Sequence, residues 1–324
     1  MRILSGIQPT GTLHIGNYLG AIKQWLELQK KNQCVFIVVN LHSITIPYNP
    51  KQMQKNIFSA TMDYLATGID PKKCIIFVQS QIKEHTELAW LLETITPIGE
   101  LERMTQFKEK ARQHKENINA GLFAYPALMA ADILLYKTNI VPVGEDQAQH
   151  VELTRTLARK FNNKFGKVFI EPQTQLSKFG ARIMSLDNPE VKMSKSLPNG
   201  CIFLTDSPDA IRQKIKTAVT DSGKEIKFDE KNKPAISNLL TIYHLFSDKP
   251  IQDVEKKYQG KGYAEFKKDL AEIIIKGLKP FQERRKKLEK NPQLVEKILA
   301  EGEKKAQKIA QQTMKEVKTK MGLI

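Results

Sequence analysis

Apolar positions follow two rhythms along this chain, and the change from one to the other falls past its middle. In residues 1–186, short runs rich in Val, Ile and Phe alternate with longer stretches whose apolar residues recur every three or four positions. The short runs predict strands over Arg2–Gly6, Cys34–Asn40, Cys74–Gln79, Ile140–Gly144 and Val168–Glu171. They are the kind of near-continuous apolar run expected of parallel strands buried on both faces. The stretches between them predict helices over Tyr18–Lys30, Lys51–Thr67 (closed by Gly68), His85–Thr94, Ala124–Tyr136 and Asp146–Phe161. Strand and helix in this order specify an α/β fold with a doubly wound parallel sheet. Ligands of such sheets bind at the carboxyl ends of the strands.

From about Asp206 only the helical rhythm remains. Ser207-Pro208 reads as an N-cap followed by proline in the first turn, and helical spacing continues over Ala210–Thr220, Ile236–Ser247 and Tyr263–Lys290. Asn291-Pro292 opens a last helix from Gln293 to about Lys320. The expected division is a Rossmann-like domain at 1–186, a connector at 187–205, a smaller all-helical domain at 206–290 and a C-terminal helix at 291–324.

The charge balance adds a partner to this picture. Lys and Arg number 51 against 35 Asp and Glu, a net charge of +16, which favours a polyanion. The run Arg284-Arg285-Lys286-Lys287 is one candidate contact, and a solvated helix face is its plainer reading. No stretch approaches the roughly 20 apolar residues of a membrane span, and the N-terminus enters a strand without a secretory signal, so a cytoplasmic protein is expected. Cys34, Cys74 and Cys201 are scattered and odd in number, which suggests neither a disulfide frame nor a zinc site. His42, His85, His114, His150 and His244 form no metal-ligand spacing, so no protein-held metal is expected.

Two stretches carry the candidate chemistry. Gln8-Pro9-Thr10-Gly11-Thr12-Leu13-His14-Ile15-Gly16-Asn17 joins the first strand to the first helix. A turn opening a helix N-terminus binds anions well, because free backbone N–H groups and the helix dipole both favour phosphate. Lys192-Met193-Ser194-Lys195-Ser196 is a polar loop with two lysines three residues apart, able to reach a polyphosphate. The usual nucleotide fingerprints are absent: Asn17-Tyr18 stands where a P-loop needs Lys-Ser/Thr, and no G-x-G-x-x-G or G-x-S-x-G is present.

These stretches resemble the HIGH-like and KMSKS signatures of class I aminoacyl-tRNA synthetases; the second is unaltered, and the first has Asn17 where the fourth residue is often His. Gly99–Lys108, Gly121–Pro126, Ala130–Tyr136 and Val141–His150 are similar to the bacterial tryptophan branch of that class, and the resemblance runs essentially from end to end. It implies activation of L-tryptophan by ATP to the adenylate with release of pyrophosphate, assisted by Mg2+, then transfer to tRNA(Trp). Gln8, Asn17, Lys192 and Lys195 would be the catalytic residues. ATP would lie on Gln8, Pro9, Thr10, His14, Gly16, Asn17, Gly144, Glu145, Asp146, Gln147, Ile183 and Lys192 to Ser196, with Ile183 and Met193 offering backbone groups to adenine. Tryptophan would lie among Leu4, Gly6, His42, Tyr125, Met129, Asp132, Ile133, Val141, Val143 and Gln147; the other four histidines are left as surface or packing residues.

Asp132 is the most informative of these. It sits in the apolar context Ala130-Ala131-Asp132-Ile133-Leu134-Leu135, with Met129 and two following valines, Val141 and Val143, able to form a flat slot. The indole nitrogen donates only, so a carboxylate is its matched partner. The resemblance also implies a homodimer, with Lys51–Thr67 and His85–Glu102 as interface candidates, a helical domain that helps bind the anticodon, and a last helix that returns to the first domain. A tyrosine-specific synthetase, a catalytically inactive RNA-binding relative and a basic membrane-surface protein are the competing expectations. Intact Gln8, Gly16, Asn17, Asp132, Gln147, Lys192 and Lys195 argue against decay, and an alternating strand-helix half has no purpose on a membrane surface.

Overall fold

The computed structural model describes residues 1–113, 115–176, 182–195, 197–223 and 225–324, without the side chains of Gln113 and Lys115. Five strands, β1 (Arg2–Ile7), β2 (Gln33–Val38), β3 (Cys74–Val78), β4 (Ile140–Val143) and β5 (Gln173–Leu176), form one parallel sheet in the order β3-β2-β1-β4-β5. The order reverses between β1 and β4, which places a crevice beyond their carboxyl ends. Successive residues of a strand face opposite sides, so Ile3, Phe36, Val38 and Ile76 join one core, and Leu4, Val35, Ile37 and Phe77 join the other.

Four of the five expected strands stand within two residues of their predicted ends. The fifth does not: Val168 and Phe169 are buried outside the sheet, and β5 follows at Gln173–Leu176. Asn162 explains the shift, because its amide holds this segment as a turn, accepting from Val168 N and Phe169 N at 2.9 and 3.0 Å and donating to Phe169 O at 2.8 Å. Polar Gln173 and Gln175 then form an edge strand that no apolar pattern announces.

The first helix is longer than expected and irregular, running from Ile15–Asn17 through a π-helical turn, Tyr18–Ile22, into Lys23–Leu28. Helix Pro50–Thr67 closes at Gly68, helix Glu145–Phe165 extends four residues past its predicted end, and Ser207 caps helix Pro208–Thr217 by accepting from Ala210 N. Short helices at Asn40–Ser43, Ile98–Glu102, Thr105–Gln113 and Ile251–Lys257 were not legible in the pattern.

Two long helices tie the second half to the sheet. Helix Tyr263–Glu289 packs along helix Pro50–Thr67, where Arg284 Nε donates to Ala66 O at 2.6 Å and Arg285 pairs with buried Asp63. Helix Pro292–Met321 lies on β3 so closely that a Cβ on Gly302 would fall 1.8 Å from Ile76 O; among the described residues β3 has no strand on its outer side. Covering a sheet edge with a helix removes an open row of pairing groups.

Candidate functional site

The crevice at the strand reversal contains a cavity of about 230 Å³. Its walls come from alternate residues of the two central strands, Leu4 and Gly6 on β1 and Val141 and Val143 on β4, so each strand presents one face. The roof is one face of helix Ala120–Leu135, where Tyr125, Met129, Asp132 and Ile133 recur at helical spacing. His42, on helix Asn40–Ser43 beyond β2, and Gln147, on helix Glu145–Phe165 beyond β4, complete it. All ten residues expected around the side chain of an amino-acid substrate therefore lie around one cavity. Ser5, Gln8, Val39 and Lys110 line it as well.

Asp132 is 3% exposed and does not stand alone in this apolar space. Its Oδ2 accepts from His42 Nε2 at 2.7 Å and its Oδ1 from His85 Nδ1 at 2.6 Å, while Gln79 Nε2 straddles both oxygens at 2.8 and 2.9 Å. Burial by itself would raise the carboxyl pKa, but the bonds from the two histidines outweigh it and hold it at about 2. The acceptor is therefore a carboxylate at every physiological pH. His85, left above as a packing or surface residue, is fully buried and belongs to this cluster, with its other nitrogen 2.9 Å from Tyr136 Oη.

Next to this cluster, with its ring centroid 6.0 Å from that of His42, Tyr125 donates through Oη to His150 Nε2 at 2.9 Å. Burial first, then Lys110, lowers His150 to about 4, so its ring is neutral and accepts. Lys110 Nζ stands 4.6 Å from the centre of the Tyr125 ring, and burial lowers its pKa. The cavity lining thus includes a fixed anion, Asp132, and a cation, Lys110, over an aromatic face.

Gln8, the first residue of the first signature stretch, lines the cavity, and the fold brings the two signature stretches together. Ile15 N donates to Ile202 O and Leu204 N to Leu13 O, both at 2.9 Å, so the first stretch pairs with the segment that follows the second. Gly11 turns the chain at φ 107°, a conformation that suits glycine, and its carbonyl accepts from Lys195 Nζ at 2.8 Å. Lys192 Nζ approaches Asp146 Oδ1 at 4.0 Å, joining the lysine loop to the start of helix Glu145–Phe165. Asp146 Oδ2 accepts from Gln147 Nε2 at 2.9 Å, Glu145 is exposed beside it, and Gly144 is the N-cap. Pro9 is buried, Thr10 is exposed, and Ser194 O accepts from Leu197 N at 3.2 Å. Ser196 and His114 lie outside the described residues.

His14 caps the first helix, and its backbone N–H donates to Asn17 Oδ1 at 3.2 Å. Burial, then Lys195 and Lys192, lower the His14 imidazole to about 4, so it meets a ligand as a neutral ring. Over Gly16, expected to give a ligand close access to the backbone, the nearest atoms are those of the His14 ring, with Ile183 Cβ beyond them at 3.7 Å from the position a Cβ would take. A ligand on Gly16 must therefore pack beside His14. Met193 N already donates to Ile183 O at 3.0 Å, which leaves the Ile183 N–H and the Met193 carbonyl as the pair's backbone groups for a ring.

Gln79, His85 and Lys110 escaped the sequence reading. A signal for the first two was present: Gln79 ends the predicted strand Cys74–Gln79 and His85 follows it, at the carboxyl end where ligands of such sheets bind. Lys110 gave none, since one lysine in the polar helix Thr105–Gln113 is indistinguishable from a solvated face.

The model of the family described as tRNA synthetases class I (W and Y) matches residues 1–279. The tryptophan–tRNA ligase of Caldanaerobacter subterraneus is 53% identical over 325 residues, covering 100% of this chain and 98% of that protein. The crystal structure of tryptophanyl-tRNA synthetase from Mycoplasma pneumoniae superposes with a TM-score of 0.91 at 38% identity, over 99% of this chain and 97% of that one. The Campylobacter jejuni enzyme, solved with ADP and tryptophan, gives 0.85 at 39% identity over 99% and 100%.

Proposed function

This chain belongs to the bacterial tryptophan branch of the class I tRNA synthetases, and we propose that it works as a tryptophan–tRNA ligase. It joins L-tryptophan to ATP as tryptophanyl-adenylate, releases pyrophosphate, and transfers tryptophan to the 3' end of tRNA(Trp). The observation that carries this reading is the buried, ionised Asp132 in a largely apolar cavity that Gln8, of the first signature stretch, also lines.

Activation needs alignment and charge neutralisation more than covalent chemistry. The indole lies in the slot against Met129, Ile133, Val141 and Val143, and its N–H meets Asp132. This places the amino-acid carboxylate at the mouth, near Gln8 and Gln147, facing the α-phosphorus. Asn17 and neutral His14, at the helix start, donate to ATP oxygens, and Gly144 to Gln147 hold its ribose side. Lys195 and Lys192 leave their contacts with Gly11 O and Asp146 and follow the charge that develops on the departing pyrophosphate, so their contribution grows toward the transition state. Magnesium would be bound as part of the ATP substrate and would supply charge neutralisation at the phosphates.

Residues 1–186 form the catalytic domain in this reading, 187–205 the lysine loop and connector, and 206–290 the anticodon-binding domain, with 291–324 docked on the first. Helix Pro50–Thr67 packs against helix Tyr263–Glu289 at Ser59, Asp63 and Ala66, which leaves its exposed first turns as the part available to an interface between protomers. Exposed Trp90 and Ile98 support a homodimer built on the His85–Glu102 region. Among the described residues no helix is long and apolar enough to cross a membrane, and the cytoplasm is the proposed compartment.

The test is ATP–pyrophosphate exchange with each of the twenty amino acids. Exchange dependent on tryptophan is expected; exchange supported by tyrosine and not tryptophan overturns the reading, and none at all favours an inactive relative. Sedimentation at micromolar concentration tests the dimer, which an active monomer would refute.

A further inference from the structure

Asp132 faces the cavity on one side only. His42 lines the cavity with it, whereas Gln79, His85 and Tyr136 do not and are each 0% exposed. The carboxylate is gripped from behind. Gln79 cannot turn its amide, because its Oε1 accepts from Leu41 N at 3.0 Å, and this fixes Nε2 toward Asp132. His85 cannot exchange its donor nitrogen without loss. Nδ1 carries the proton that Asp132 Oδ1 accepts, and Nε2 is held by Tyr136 Oη at 2.9 Å. The ring is also clamped between Phe77 and Tyr136, with centroids 5.8 and 5.5 Å away.

We infer that Gln79 and His85, with Tyr136 behind them, are specificity-determining positioning residues that hold the Asp132 carboxylate so that its His42-facing edge is offered to the donor of the bound side chain. The inference rests on the assignment of tryptophan as substrate. His85 and Gln79 occupy Oδ1 and Gln79 also reaches Oδ2, so a ligand N–H meets the carboxylate at Oδ2 in place of His42 Nε2. Without the rear donors the carboxylate is free to rotate, and burial would favour its protonated form, which presents a proton where the indole needs an acceptor. A side chain lacking a donor gains nothing from the arrangement, so the grip acts on discrimination rather than on general binding.

The experiment compares L-tryptophan with L-3-benzothienylalanine, in which sulfur replaces the indole N–H, by ATP–pyrophosphate exchange on the full chain. In the parent, kcat/KM favours tryptophan by at least about tenfold, as one hydrogen bond to a charged group provides. Gln79→Met and His85→Leu are expected to reduce that preference about tenfold through the tryptophan KM, with the analogue unchanged within about twofold. His85→Asn, whose amide replaces Nδ1 as donor, should keep most of it. Tyr136→Phe, which removes one oxygen remote from the cavity, should give a smaller loss of the same kind, and it decides the matter if the buried His85→Leu fails to fold. Parallel losses for both amino acids, or an unchanged preference in Gln79→Met and Tyr136→Phe, overturn the inference. A parent protein that activates another amino acid and not tryptophan overturns the substrate reading and this inference with it, and that result precedes any substitution.

Discussion

Replacing Arg285 with alanine should weaken the protein in a way that depends on pH. Arg285, on helix Tyr263–Glu289, is 11% exposed and pairs with Asp63 on helix Pro50–Thr67, whose side chain is 1% exposed. It also donates to Ser59 Oγ at 3.1 Å and to Ser59 O at 3.4 Å. Burial pushes the Asp63 carboxyl up to about 6 although Arg285, with smaller help from the Leu13 backbone and Lys195, pulls it down, so at pH 7 its ionisation depends chiefly on the guanidinium. Without Arg285 the folded protein must bury a bare carboxylate or protonate it, and protonation costs less. Parent and variant then differ by one bound proton in the folded state above pH 6, while their unfolded chains are both ionised. The cost of the substitution should therefore rise by about 1.4 kcal/mol per pH unit above 6, until the variant's own midpoint is passed. Adding roughly 1 kcal/mol for the Ser59 bonds gives about 2–3 kcal/mol at pH 7 and little more than the Ser59 loss below pH 6. Urea unfolding of parent and variant at pH 5.5, 7 and 8 measures this. In an Asp63→Asn background the same substitution should show no pH dependence. A cost equal at all three pH values in the parent background would refute the reasoning.

Lys195→Ala should lower the rate of adenylate formation by about 10²–10³ with little change in ATP affinity, since the free protein holds Nζ on Gly11 O and the phosphate contact is made on closure; single-turnover kinetics that show lost affinity at an unchanged rate would make the lysine a ground-state binder. Binding of tRNA should weaken steeply with salt, and removing exposed Lys286 and Lys287 should flatten log affinity against log salt, whereas Arg285→Ala should leave that slope unchanged because this arginine already faces Asp63. A slope that is flat in the parent would sink the electrostatic account. Gly302→Ala forces a methyl into Ile76 O and should cost about 3 kcal/mol or more, with helix Pro292–Met321 lifting from β3; a melting temperature within a degree of the parent would show that the helix is not seated there.

What the sequence determined by itself was the local grammar and the chemistry tied to it. Apolar runs with helical spacing between them specified the sheet and its helices, since burial on both faces demands such runs whatever the partners. The signature stretches were legible because their residues are adjacent in the chain, and a turn at a helix start binds phosphate by local geometry alone. Part of the cavity lining was legible on the same ground, as strand and helix periods place Val141 with Val143 and Met129 with Ile133, whereas Leu4, Gly6, His42 and Tyr125 were expected there from the family resemblance.

Only the tertiary structure decided which groups meet across the sheet. Gln79 and His85 reach Asp132 because β3 and helix Ala120–Leu135, some fifty residues apart in sequence, close on the same point. Arg285 reads as one more cation in a basic run until helix packing turns it onto Asp63, 222 residues away. The last strand was misplaced for a related reason: a single amide, Asn162, outweighed the strand preference of Val168 and Phe169. In each case a buried polar group required a partner that the chain could supply only from far along its length, and periodicity carries no record of such pairings.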